Sequence, residues 1–239
     1  MKTSTKIILL YCSLFFASLL TLYILSKTHK SEEQKWTFVN SEKGLPDFSV
    51  VVLKDSTRCR LEMAEYNHIN WQTTNVNWQT TNDKPLVGEP VIVRNDTLYV
   101  TTIPKELTYD YVIKCKGLKV VITNPGSSVR IIDPVMNKLT LIGKGGEIYV
   151  ENEDSKKGEQ LAGRLQIELF AMNYTQTNID VRVNKINASL NNSVLNARNV
   201  VMISRNVTLN LRNASKVEFS NCPLQLNVIK DSTSNLTLY

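Results

Sequence analysis

The chain has 239 residues with 28 basic and 22 acidic side chains, a formal net charge of +6. Lys2, Lys6, Lys27 and Lys30 supply part of that charge and no acid precedes Ser31, so the rest of the chain carries 24 basic against 22 acidic residues. A nucleic-acid footprint needs cations clustered on one face, and this near-neutral balance excludes nucleic acid as a partner.

Residues 1–6 are a short tail, and the run from Ile7 to Leu25 carries no charge. At ~1.5 Å per residue such a run reaches across a ~30 Å hydrocarbon core. It exceeds the ~7–15 residues of a secretory signal's apolar region, and no Ala-x-Ala site follows it. The sequence therefore predicts a transmembrane anchor over 7–25, with a removed signal peptide as the alternative. Either exports the remainder; the first also makes the membrane a partner through residues 7–25. Residues 26–46 are polar, aperiodic and end in Gly44-Leu-Pro46, the pattern of a linker.

Residues 47–239 read as one β domain. Phe48-Ser-Val-Val-Val-Leu53 and Cys59-Arg-Leu-Glu-Met63 alternate across Lys54-Asp-Ser-Thr-Arg58, a polar turn of hairpin length. Val87 to Val93, Thr97-Leu-Tyr-Val100 and Tyr111-Val-Ile113 continue the pattern, with Arg94-Asn-Asp96 as a turn. Between them Asn70-Trp-Gln-Thr-Thr-Asn75 recurs unchanged as Asn77-Trp-Gln-Thr-Thr-Asn82. A shift of seven puts Trp71 and Trp78 on opposite faces of a continuous strand, so one core cannot bury both. The duplication is either a surface-loop repeat or a pair of exposed aromatics for a sugar or peptide, which makes Trp71 and Trp78 the candidate ligand-binding residues.

From Leu118 an alternating run recurs at Leu139, Leu165, Ile186, Val207 and Leu224. A period of roughly 20 residues marks a solenoid, in which each unit buries its apolar face only by stacking on the next. The charged stretch Glu151 to Gln160 fits a loop bulging from a corner. Asparagine, abundant from 171 to 239, suits corners because it tolerates left-handed backbone. The Asn-x-Ser/Thr sequons scattered from Asn95 to Asn235 are by-products of that composition. The last run, Leu236-Thr-Leu238, leaves no sequence for a cap, and an uncovered rung invites edge-to-edge self-association.

Leu118-Lys-Val-Val-Ile122, its small-residue turn and Val129-Arg-Ile131 resemble the repeats of the bacterial auto-transporter adhesin family with a head GIN domain. Val93 to Val100 is similar to the short strand preceding those repeats, and the resemblance covers roughly residues 48–239. It implies a cell-envelope, periplasm-side protein with a right-handed single-stranded β-solenoid (β-helix-like) and no established enzymatic activity. The turns depart from the family's Ser-Gly-Ala-Gly, as at Asn124-Pro-Gly-Ser-Ser128 and Asn213-Ala-Ser215.

Catalytic chemistry finds few handles. His68 lies in a polar stretch and reads as an exposed loop histidine, and the scattered His and Cys residues make no zinc pattern. Gly143-Lys-Gly-Gly146 precedes a strand rather than the helix of a phosphate loop, so it reads as a turn. Cys59 and Cys115 bridge only if their strands are neighbours; otherwise they are small buried apolar groups. A polysaccharide lyase or glycosidase needs converging carboxylates, for which Asp133 and Asp180 are the nearest isolated acids. The expectation is an all-β solenoid preceded by antiparallel strands and an N-terminal transmembrane helix. It would act as a membrane-anchored, non-catalytic adhesin-like module for a glycan or protein ligand, with no metal or cofactor. The alternatives are a carbohydrate-active β-helix enzyme or an envelope regulator with a membrane partner.

Overall fold

The computed structural model describes residues 15–21, 23, 37–75, 91–101, 111–152, 165–197, 206–220 and 223–239. Met1–Phe38 with Thr74–Asn82 form one compact unit, and Val39–Thr73 with Asp83–Tyr239 form another. In the former, residues 15–21 and Tyr23 are helical and exposed. Among the described residues no helix is long and apolar enough to cross a membrane. This corrects the expected transmembrane helix over 7–25, and the membrane partner, membrane localisation and anchored function that depended on it fall with it. The rest of 7–25 lies outside the described residues.

The second unit is built from strands. β1 (Thr37–Gly44), β2 (Val50–Leu53), β3 (Arg58–Met63) and β4 (His68–Asn75) come first, then β5 (Val91–Arg94), β6 (Thr97–Val100) and β7 (Tyr111–Cys115). Thereafter strands come in pairs: β8 (Val120–Thr123) with β9 (Ser128–Ile132), β10 (Lys138–Gly143) with β11 (Glu147–Glu151), and β12 (Gln166–Met172) with β13 (Gln176–Asp180). β14 (Lys185–Asn191) with β15 (Val194–Ala197), β16 (Asn206–Arg212) with β17 (Lys216–Phe219), and β18 (Gln225–Lys230) with β19 (Asn235–Leu238) complete the series.

The first member of each pair joins a nine-stranded sheet, β18-β16-β14-β12-β10-β8-β2-β6-β5, and the second a ten-stranded sheet, β1-β4-β7-β3-β9-β11-β13-β15-β17-β19. All neighbours from β6 to β18 and from β7 to β19 are parallel. The architecture is all-β and largely parallel, consistent with a solenoid-like fold.

Alternation drives the stacking. Inward side chains line up across the nine-stranded sheet as Leu98, Val51, Val121, Leu141, Leu169, Ala188 and Leu209, all buried. They meet a facing row of Ile113, Leu61, Ile131, Val150, Ile179, Ala197 and Phe219 in one core cluster. A strand buries one face only, so each pair needs its neighbours above and below.

The corners have their own chemistry. Thr57, Ser127, Thr175, Ser193, Ser215 and Ser234 occupy equivalent corner positions and are buried. Four of these hydroxyls donate back to the carbonyl three residues earlier: Thr57 to Lys54, Ser127 to Asn124 at 2.6 Å, Thr175 to Met172 at 2.7 Å and Ser215 to Arg212 at 2.6 Å. Such local bonds offer the backbone an alternative to the ladder, which is what a corner requires. Left-handed residues precede the hydroxyl, among them Ser56, Asn173, Asn192 and Asn213. The glycine turn at 143–146 is likewise a corner, where Gly146 has φ +94° and a Cβ would strike the Ser127 carbonyl at 2.3 Å.

Three details differ from expectation. Lys54 to Arg58 is no hairpin turn: β2 pairs with β6 and β8, and β3 with β7 and β9, so the segment carries the chain from one sheet to the other. Of the expected preceding antiparallel strands, β4 pairs antiparallel with β7 and β5 with β6, while β2 and β3 lie within the parallel stack. Leu224 precedes β18 and is 80 % exposed, while Leu226 takes the position opposite Val207.

Candidate functional site

The outer face of the ten-stranded sheet carries an open groove of about 450 Å³ lined by Arg58, Cys59, Arg60, Val112, Ser128, Arg130, Glu147 and Tyr149. Parallel register assembles it from segments far apart in sequence. Arg60 lies between Val112 and Arg130, and Arg130 stands beside Tyr149. In the neighbouring outward row, Arg58, Ser128 and Glu147 are aligned.

Its charges are mostly placed. Arg60 Nε lies 2.7 Å from Glu62, and Arg130 Nε 3.7 Å from Glu151. The Arg130 guanidinium sits 5.7 Å above the Tyr149 ring, a cation–π contact. Tyr149 donates to Glu147 at 3.2 Å, and Ser128 donates to the same oxygen at 3.3 Å. Partial burial, followed by the Glu147 charge, raises the Tyr149 pKa, so the phenol remains a donor. Arg58 is exposed and has no acidic partner among the described residues. Side by side, the groove thus offers a rigid ring, a forked donor without an acid partner and a carboxylate acceptor.

The residues singled out from sequence are dispersed. Trp71 belongs to β4, opposite Tyr111, and Trp78 lies outside the described residues. His68 is not in a loop: it stands in β4 opposite Lys114, 3.5 Å from Glu42. Asp133 has a left-handed backbone at the turn after β9, Asp180 ends β13, and β11 runs between those strands. Among the described residues no group of three or more His, Cys, Asp or Glu is placed to hold a metal ion. Cys59 and Cys115 are on neighbouring strands, but register sets Cys59 opposite Tyr111 and Cys115 opposite Met63, and both are free thiols. Burial raises both thiols, Cys115 to about 12. The groove itself is invisible in sequence, because its arginines and tyrosine are outward residues of ordinary alternating strands and only the register joins them.

At the other end of the stack, β18 and β19 are the edge strands of the two sheets. Ile229 there is 72 % exposed, and Leu226, Val228 and Leu236 only partly cover the core.

No family model matches the chain, and no curated protein matches it. Among solved structures, the chain is distantly similar to a "putative adhesin" from Bacteroides fragilis, at 12 % identity and TM-score 0.45, over 86 % of this chain and 99 % of that one. A "putative adhesin" from Parabacteroides merdae matches at 9 % identity and TM-score 0.46, over 85 % and 96 %. A "putative adhesin" from Parabacteroides distasonis matches at 9 % and 0.48, over 86 % and 97 %.

Proposed function

We propose that this chain is a non-catalytic, adhesin-like binding module that takes a saccharide on the outer face of the ten-stranded sheet. The observation that carries the reading is the Tyr149 ring set between Arg130 and Glu147, with Arg58 one row away. A pyranose offers an apolar face for the ring and adjacent hydroxyls for a guanidinium and a carboxylate. An open groove suits a chain laid along a surface better than a substrate engulfed for reaction. Trp71 and Trp78 are a second proposed contact pair.

A glycan array probed with the full chain tests this. The expected result is capture of a defined glycan class, with affinity reduced about tenfold or more by Tyr149→Ala and by Arg58→Ala, roughly 1.4 kcal/mol each. Capture unaffected by both substitutions but abolished by Trp71→Ala with Trp78→Ala moves the site to the tryptophans. No capture by the folded wild type overturns the saccharide reading.

A further inference from the structure

The solvent face of the nine-stranded sheet should be polar along its length, and half of it is not. Register places Ile92, Tyr99, Val52, Ile122, Ile142 and Phe170 in one outward row across six consecutive strands, β5-β6-β2-β8-β10-β12. Beyond Phe170 the row continues as Ser189 and Asn210 and ends on Ile229. Val50 and Val120 widen the stripe on one side, and Met172 extends it along β12. Ile92 is 37 % exposed, Phe170 46 % and Met172 39 %. The side chains of this stripe are turned away from the core: Ile92, Phe170 and Met172 are exposed, and Val52, Tyr99, Ile122 and Ile142 are half-buried.

We infer that this stripe is the contact surface of a homodimer, in which the same row of a second copy packs against it face to face. Two observations select that occupant. The row repeats at the strand spacing of ~4.8 Å over about 25 Å, and another strand stack is the surface that presents apolar side chains at the same pitch. The stripe covers roughly 400–500 Å², at the upper end of what a monomer leaves exposed. Doubled by a twofold axis, it comes to roughly 800–1,000 Å², at the lower limit of a specific interface. Twofold pairing also closes on itself, whereas a heterologous contact would propagate into a filament. Ser189 and Asn210 interrupt the apolar row after Phe170, separating it from Ile229 at the edge strand, and so end the patch and fix which strands overlap.

The experiment is sedimentation equilibrium of the full chain between ~1 and ~200 µM. The wild type is expected to dimerise with a micromolar Kd, as roughly 800–1,000 Å² of buried surface allows. Ile142→Glu with Phe170→Glu places like charges across the axis and is expected to weaken the dimer more than tenfold. Ser189→Glu with Asn210→Glu, further along the same row, is expected to leave it unchanged. Circular dichroism and thermal unfolding establish that each variant is folded, and Phe170→Ser is expected to weaken the dimer in the same direction with a milder change. A monomeric wild type at ~200 µM overturns the inference, as does a dimer that survives the glutamates but dissociates when Leu226 and Val228 at the β18 edge are changed to Lys.

Discussion

Gly143 lies directly against Thr175: a Cβ at Gly143 would sit 2.2 Å from the Thr175 Cγ2 and 2.6 Å from its Oγ1. Thr175 is fully buried, and its hydroxyl accepts the Gly145 N–H at 2.9 Å while donating to Met172. A β-branched side chain so held has no second rotamer to retreat to. Gly143→Ala should therefore destabilise the protein by about 1–3 kcal/mol in urea titration. Adding Thr175→Ser, which removes the methyl and keeps the hydroxyl, should recover part of the loss.

The corner hydroxyls make a second prediction. Ser215 donates to Arg212 and accepts the Ser193 N–H at 3.4 Å, linking two rungs. Ser215→Ala leaves the buried Ser193 amide without its partner, while the Arg212 carbonyl keeps the Asn192 N–H, which should cost about 1–2 kcal/mol. Ser220→Ala is the comparison: its hydroxyl is buried with no partner among the described residues, so its loss should cost less.

Asp231 gives the last corner a pH dependence. Hydrogen bonds from Ser234 first, then from the Asn213 amide and from Thr233, lower its pKa to about 2 from an ordinary 3.8. The unfolded chain therefore binds the proton more readily, and the stabilisation is present above about pH 4 and lost as the pH falls toward 2. NMR of the Asn213 and Ser234 amides should show shifts titrating in that window. Asp231→Asn should abolish the titration.

The buried cysteines should be silent. With Cys115 held at about 12, Cys59 raised further and both thiols buried, neither supplies thiolate at pH 8. Peptide mapping after iodoacetamide treatment should find both unmodified in native protein and both modified in urea. A Cys59–Cys115 disulfide in the map would refute the register of β3 against β7.

The repeated half of the fold is legible in the sequence because alternation is a local property. Ile186-Asn-Ala-Ser-Leu190 and Val207-Thr-Leu-Asn-Leu211 align residue for residue as β14 on β16, as their periodicity implies. Corner asparagines are legible for the same reason: Asn173, Asn192 and Asn213 adopt positive φ. Pairing partners are not. Nothing within Val50–Leu53 or Arg58–Met63 distinguishes a hairpin from two strands that part at a corner, since alternation names a face and never a neighbour. The uncharged run at 7–25 satisfies a hydropathy rule along its whole length, while among the described residues no helix is long and apolar enough to cross a membrane. The groove is the least legible feature, because Arg60 and Arg130 are far apart in the chain and meet through a register no local pattern encodes.

β2 and β3 are the first strands of the parallel stack in sequence, yet they are flanked by β6 and β7 on one side and by β8 and β9 on the other. The chain passes their position, turns back through β4 and β5, and then goes beyond them. An ordinary solenoid grows like a column laid course upon course, and its oldest course can be removed from the bottom. Here the oldest course is a keystone. One edge stays open until β6 and β7 have been made and the other until residues as late as Ile132, so the nascent chain must hold one side of Val50–Met63 unpaired while roughly 70 further residues are synthesised. Shortening the protein past β1 and into β2 and β3 would open a gap in the middle of the stack rather than trim an end.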